Sequence, residues 1–124
     1  MNKLLWTLQI LLAMAFLAHG IMMIAPPPEI ALQMDKFLPR WFQLFLGVAE
    51  VLAAIGLTVP GFTRIQPRLV PAAAVGLIIV MLCATILHAS RGEVGSALTT
   101  LVLLLLATFV AYGRWKRVPI AARV

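Results

Sequence analysis

The sequence predicts an all-α membrane protein, a membrane-spanning four-helix bundle with a short interfacial helix between spans 1 and 2. Three observations predict it. Four apolar runs recur along the chain, at 4–25, 41–59, 69–89 and 97–113. Each is near the roughly 20 residues a helix needs to cross the hydrocarbon core. The composition is 63% hydrophobic and 11% charged, where soluble domains average about 45–50% and about 25%. The connections are short, so neighbouring helices run antiparallel. With 124 residues the chain has room for one domain.

The first span, 4–25, is longer than the apolar core of a usual signal peptide, and no polar cleavage segment follows it. Pro26, Pro27 and Pro28 halt it, because proline lacks the backbone donor and restricts the residue before it. Ile30, Met34, Phe37 and Leu38 then fall at i, i+4, i+7 and i+8, the apolar stripe of a short helix. Glu29 complements its N-terminal dipole and Pro39 ends it. This helix lies on the membrane or folds over the mouth of the bundle. The second span, 41–59, stops before Pro60. The third, 69–89, holds Pro71 in its first turn, where no intrahelical donor is needed. The fourth, 97–113, has an almost purely apolar centre at 101–107.

Charge sets the orientation. Four spans put both termini on one side. That side carries Lys3, Arg64, Arg68, Arg114, Lys116, Arg117 and Arg123; the other carries Lys36, Arg40 and Arg91. The positive-inside rule then places both termini in the cytoplasm, with the plasma (inner) membrane as the location. Trp6, Trp41 and Trp115 mark span ends. The net charge of +6 needs no nucleic acid to explain it, since a basic tail such as Arg114-Trp115-Lys116-Arg117 contacts anionic lipid heads. No phosphate loop, zinc pattern or nucleophile motif occurs, so no metal is expected. The single Cys83 reads as a buried small residue, and one thiol makes no disulfide-exchange pair.

Glu50 is the only carboxylate inside a span. An ionisable group at that depth is costly and marks a functional hypothesis whose partner must be found. Gln43, Gly47, Glu50 and Ala54 recur at i, i+4, i+7 and i+11, one narrow face of polar and small residues that packs on other helices. Gly47, Ala54 and Gly56 are the packing positions on this span. The other polar candidates are His19 in the first span, Thr85 and His88 in the third, and Thr99 and Thr100 in the fourth. Antiparallel topology puts these groups in the half away from the termini, with Glu50 roughly 13 Å below that surface. A polar pocket open to the outer side follows, with Glu50 at its floor and His19, His88, Gln43 and Thr85 as ligand- or proton-binding candidates. Gln9, in the other half, reads as a structural hydrogen bond.

The stretch Gly47-Val48-Ala49-Glu50, continuing to Gly56-Leu57-Thr58-Val59-Pro60, resembles the G-x-x-E…G-L-x-x-P segment of DoxX-like membrane proteins. Ala15-Phe16-Leu17-Ala18-His19-Gly20 is similar to the end of that family's opening helix. Met23 departs from the family pattern, which often has a lysine about there, leaving His19 as the first span's candidate partner for the carboxylate. The resemblance implies a four-helix integral membrane protein, of a family linked in some cases to quinone-dependent sulfur oxidation or oxidative-stress complexes. It implies no enzymatic activity for this chain.

Three readings fit these residues. The preferred one is a bundle that binds a lipophilic molecule such as a quinone, or acts as membrane subunit of a redox-linked assembly. Nothing in the chain carries electrons by itself, so a redox partner protein is implied. Next comes a structural or scaffold subunit, for which a homo-oligomer is one form. Last is a small proton-coupled exporter, disfavoured because its aromatic residues Trp41, Phe42 and Phe45 cluster at one end of span 2.

Overall fold

The four runs are four long helices in a computed structural model, which describes residues 1–123. Helix α1 is Asn2–Ile24, α2 is Pro28–Asp35, α3 is Arg40–Thr63, α4 is Leu69–Ser90 and α5 is Val94–Tyr112. A π-helical turn, Gly113–Arg117, continues α5. All four long helices are long and apolar enough to cross a membrane. Helix α1 packs along α3, and α4 along α5; the two pairs join chiefly through α3 and α4, while α1 and α5 touch sparingly.

The buried face of α1 is Leu5, Gln9, Leu12, Phe16, Gly20 and Met23, a spacing of three or four residues that keeps one side of a 3.6-residue helix turned inward. On α3 it is Gln43, Gly47, Glu50, Ala54 and Leu57. Of these, Leu5, Leu12, Phe16, Ala54 and Leu57 join Ala74, Leu77 and Met81 of α4 and Ala107 and Val110 of α5 in one core. The outside is clothed in exposed apolar side chains such as Leu11, Phe45, Leu52, Ile79 and Leu105. Lipid tails match such an exterior, so helix association rests on packing and hydrogen bonds rather than on escape from water.

Four local expectations change. Helix α3 runs through Pro60 to Thr63 instead of stopping before the proline. The missing donor removes one backbone bond, but Pro60 and Gly61 are buried and Trp6 closes on Gly61. A Cβ on Gly61 would stand 2.6 Å from Trp6 Cη2. The helix ends instead at Arg64, in the left-handed conformation with φ 58°, a common way for a helix to stop. Helix α5 starts at Val94, three residues ahead of the expected span.

Third, the short helix forms but ends at Asp35. Ile30, Met34 and Leu38 are half-buried as one stripe, whereas Phe37 is exposed. Its ring lies under the Arg91 guanidinium, 3.6 Å from the centroid, and so ties this segment to the α4–α5 turn. Last, Cys83 is exposed on the outside of α4 rather than buried. It follows buried Met81 by two residues, about 200° around the helix.

Candidate functional site

Helices α1 and α3 approach most closely where two glycines meet. A Cβ on Gly20 would stand 2.8 Å from the Gly47 carbonyl oxygen, and one on Gly47 would stand 2.8 Å from the Gly20 carbonyl oxygen. Only residues without a Cβ allow backbones this near. The contact sets the neighbours of both glycines against the opposite helix. His19 Nδ1 comes 2.8 Å from Glu50 Oε2. The Glu50 side chain is 4% exposed, while the His19 side chain is 51% exposed. No described residue bonds His19 Nε2. The pair is therefore a buried carboxylate holding one edge of an imidazole, with the other edge free at the bundle surface.

A separate network lies about 10 Å further along α3. Gln43 Nε2 donates to Asp35 Oδ1 and to the Leu38 carbonyl, both at 2.9 Å. Its Oε1 accepts from Arg40 Nη1 at 3.1 Å. The same Arg40 nitrogen donates to the Met23 carbonyl at 3.0 Å, and Nη2 to the Ile24 carbonyl. These are last-turn carbonyls of α1, which lack intrahelical donors and favour a cation. Arg40 of α3 thus supplies a cation to the backbone at the end of α1. With its amide oxygen and nitrogen both engaged, Gln43 clamps α2 to α1 and α3.

His88 and Thr85 also have local partners. His88 Nδ1 is 3.1 Å from Glu93 Oε1, which Arg91 Nε approaches at 3.6 Å. Thr85 Oγ1 donates to the Met81 carbonyl at 2.7 Å and pairs with Thr100 Oγ1 at 2.8 Å. Thr99 bonds the Gly95 carbonyl. Of the five candidates, the fold brings together His19 and Glu50; it leaves Gln43, His88 and Thr85 in networks of their own. Gly47 lies in the α1–α3 contact, Ala54 is buried, and Gly56 meets α4, where a Cβ would stand 2.9 Å from Ala73 Cβ.

Two clefts stand out, and Glu50 lines neither. An apolar groove of about 310 Å³ follows the α1–α3 seam past Ala13, Leu17, Ala54 and Ile55. Leu17 and His19 are two residues apart, about 200° around α1, so this groove is on the other flank. The second cleft, of about 700 Å³, opens at the end carrying both termini. Beside it Arg114, expected to reach lipid heads with its neighbours, is only 3% exposed. Arg114 Nε donates to Gln9 Oε1 at 2.6 Å, and Gln9 Nε2 to the Leu57 carbonyl at 2.8 Å. Gly113 is the small residue that lets Leu5 sit against the chain beside Arg114.

The sequence pattern of the DoxX-like family matches residues 7–110. The chain belongs to the DoxX-like family. No curated protein and no solved structure matches it. Family and four apolar helices together make this DoxX-like chain an integral membrane protein. The match includes His19, Gly20, Gly47 and Glu50 and ends before Gly113, so the glycine crossing lies inside the shared region and Arg114 outside it.

Proposed function

We propose that this DoxX-like protein binds a lipophilic molecule of the quinone class at His19 and Glu50, as the membrane subunit of a redox-linked assembly. The carrying observation is the half-exposed imidazole whose Nδ1 is held 2.8 Å from a buried carboxylate. When Nδ1–H donates to ionised Glu50, Nε2 is a free acceptor for a quinol hydroxyl. When the ring is protonated, Nε2–H is a donor for a quinone carbonyl. A proton taken at Nε2 is passed on from Nδ1 to Glu50, the arrangement of a general base backed by a second group. The ligand's ring approaches from the bilayer and its tail stays among the lipid chains. Electrons go to or from a partner protein.

The membrane is proposed to be the plasma (inner) membrane, with both termini cytoplasmic. With Arg114 buried, the basic side chains number six at the terminal end (Lys3, Arg64, Arg68, Lys116, Arg117, Arg123) against three at the other (Lys36, Arg40, Arg91). The excess keeps its sense without Arg114.

The test is equilibrium binding of a short-chain quinone to purified protein in nanodiscs. Saturable binding is expected, weakened about tenfold by Glu50→Gln and by His19→Leu, the scale of one hydrogen bond to a charged group. Absence of saturable binding, or binding in both variants as tight as in the unsubstituted protein, rejects the reading.

A structural subunit is the second reading, because the same pair bridges α1 and α3 beside their closest backbone contact. It expects Glu50→Gln to lower stability or complex recovery with no ligand effect.

A further inference from the structure

Arg114 is the one basic side chain buried among the described residues. Arginine stays charged in proteins, and a buried charge is costly unless an opposite charge faces it. The contacts of Arg114 are all neutral. Nε meets Gln9 Oε1, and Nη1 donates to Asn2 Oδ1 at 2.8 Å and the Val118 carbonyl at 3.0 Å. Nη2 is the single buried side-chain nitrogen or oxygen among the described residues without a partner. No described carboxylate is at this end. Glu29, Asp35 and Glu93 belong to the segments at the opposite end, and Glu50 pairs with His19.

Arg114 forms part of the wall of the 700 Å³ cleft. Arg64 is a second cation on that wall, its Nε tied to the Ala121 carbonyl at 2.9 Å. The rest is largely apolar, including Ile120 and the Trp6 ring stacked on Phe62 with centroids 4.6 Å apart. Two cations over an apolar wall suit an anion carried on an apolar body.

We propose that this cleft binds a phosphate-class oxyanion, presented by a lipid headgroup or free in solution, with Arg114 and Arg64 as its cationic contacts. The oxyanion takes the Nη1–Nη2 edge by displacing the two neutral acceptors of Nη1. Asn2 is exposed and Val118 half-buried, so both can turn back to water. Charge-assisted bonds from arginine to phosphate are about twice as strong as neutral ones. Gln9, anchored on Leu57, keeps the guanidinium in place throughout.

The experiment is native mass spectrometry of the detergent-solubilised full chain, titrated with phosphatidylglycerol, with phosphatidylcholine and with inorganic phosphate. Saturable retention of one phosphatidylglycerol, at least about tenfold tighter than phosphatidylcholine, is expected on the scale of a charge-assisted bond. Arg114→Gln and Arg64→Gln each weaken it about tenfold; Arg64 is exposed, so its variant tests the site even where Arg114→Gln fails to fold. Arg68→Gln, at the same end but outside the cleft wall, leaves it unchanged. Competition by inorganic phosphate assigns the site to the free anion, and retention without competition assigns it to the lipid. Equal retention of the two lipids with no phosphate binding, or a loss in Arg68→Gln matching that in Arg64→Gln, overturns the proposal.

Discussion

The Gly20 and Gly47 backbones press together so closely that a Cβ on either would lie 2.8 Å from the other's carbonyl oxygen. Backbone cannot swing aside as a side-chain tip can. Gly20→Ala and Gly47→Ala are each expected to destabilise the fold by about 1–2 kcal/mol, overpacking outweighing the gain in helix propensity. Gly76 is the control, because a Cβ there would meet nothing within 4 Å. Gly76→Ala is expected to be neutral or to stabilise by up to about 1 kcal/mol. Thermal unfolding in one detergent compares all three.

Glu50 and His19 depend on that crossing. Breaking a fully buried pair costs about 3–5 kcal/mol, but half of the His19 side chain is exposed. Glu50→Ala should therefore cost less, about 1–2 kcal/mol. Glu50→Gln keeps an acceptor for the imidazole and should lose about half as much. Imidazole nitrogen shifts measured by NMR on His19 check the contact directly: a spectrum insensitive to Glu50→Gln means that the two groups are not bonded.

Gln43 is expected to act on α2 rather than on a ligand. Gln43→Leu strips donors from Asp35 Oδ1 and the Leu38 carbonyl and leaves Arg40 short of one acceptor. A loss of about 1–3 kcal/mol follows, the range for unsatisfied buried partners. Hydrogen exchange should speed up across residues 28–38 while the spanning helices keep their protection. Uniform loss of protection would mean that Gln43 supports the whole bundle.

Thr85 and Thr100 join α4 to α5 in the half away from the termini. Hydrogen bonds between membrane helices average about 0.6 kcal/mol. The double variant Thr85→Val with Thr100→Val should thus cost no more than about 1 kcal/mol. A double-mutant cycle read by unfolding measures the coupling, and a value near zero removes the interhelical bond.

Hydrophobic runs and punctuation made the helices legible in the amino-acid order. Pro26–Pro28 and Pro39 bracket the short helix in sequence, and the chain bends there. Pro60 carries the same signal and misleads: the helix runs on to Thr63, with Trp6, far away in the chain, packed over Gly61. The spacing of Gln43, Gly47, Glu50 and Ala54 likewise named an inward face. It could not divide that face among partners. Gln43 turned to Asp35, Glu50 to His19, and Gly47 to Gly20.

By itself, the sequence determined four membrane-length helices, their antiparallel order and the burial of one carboxylate, since each follows from local hydrophobicity and helical period. Only tertiary structure decided who meets whom. His88 and His19 were both candidates in the half away from the termini, yet His88 pairs with Glu93 across a turn, and Arg114 looked like a surface cation, yet it is enclosed beside Gln9. Such pairings depend on helix rotation and on how closely backbones approach, and both are settled by contacts between residues as far apart as Gln9 and Arg114.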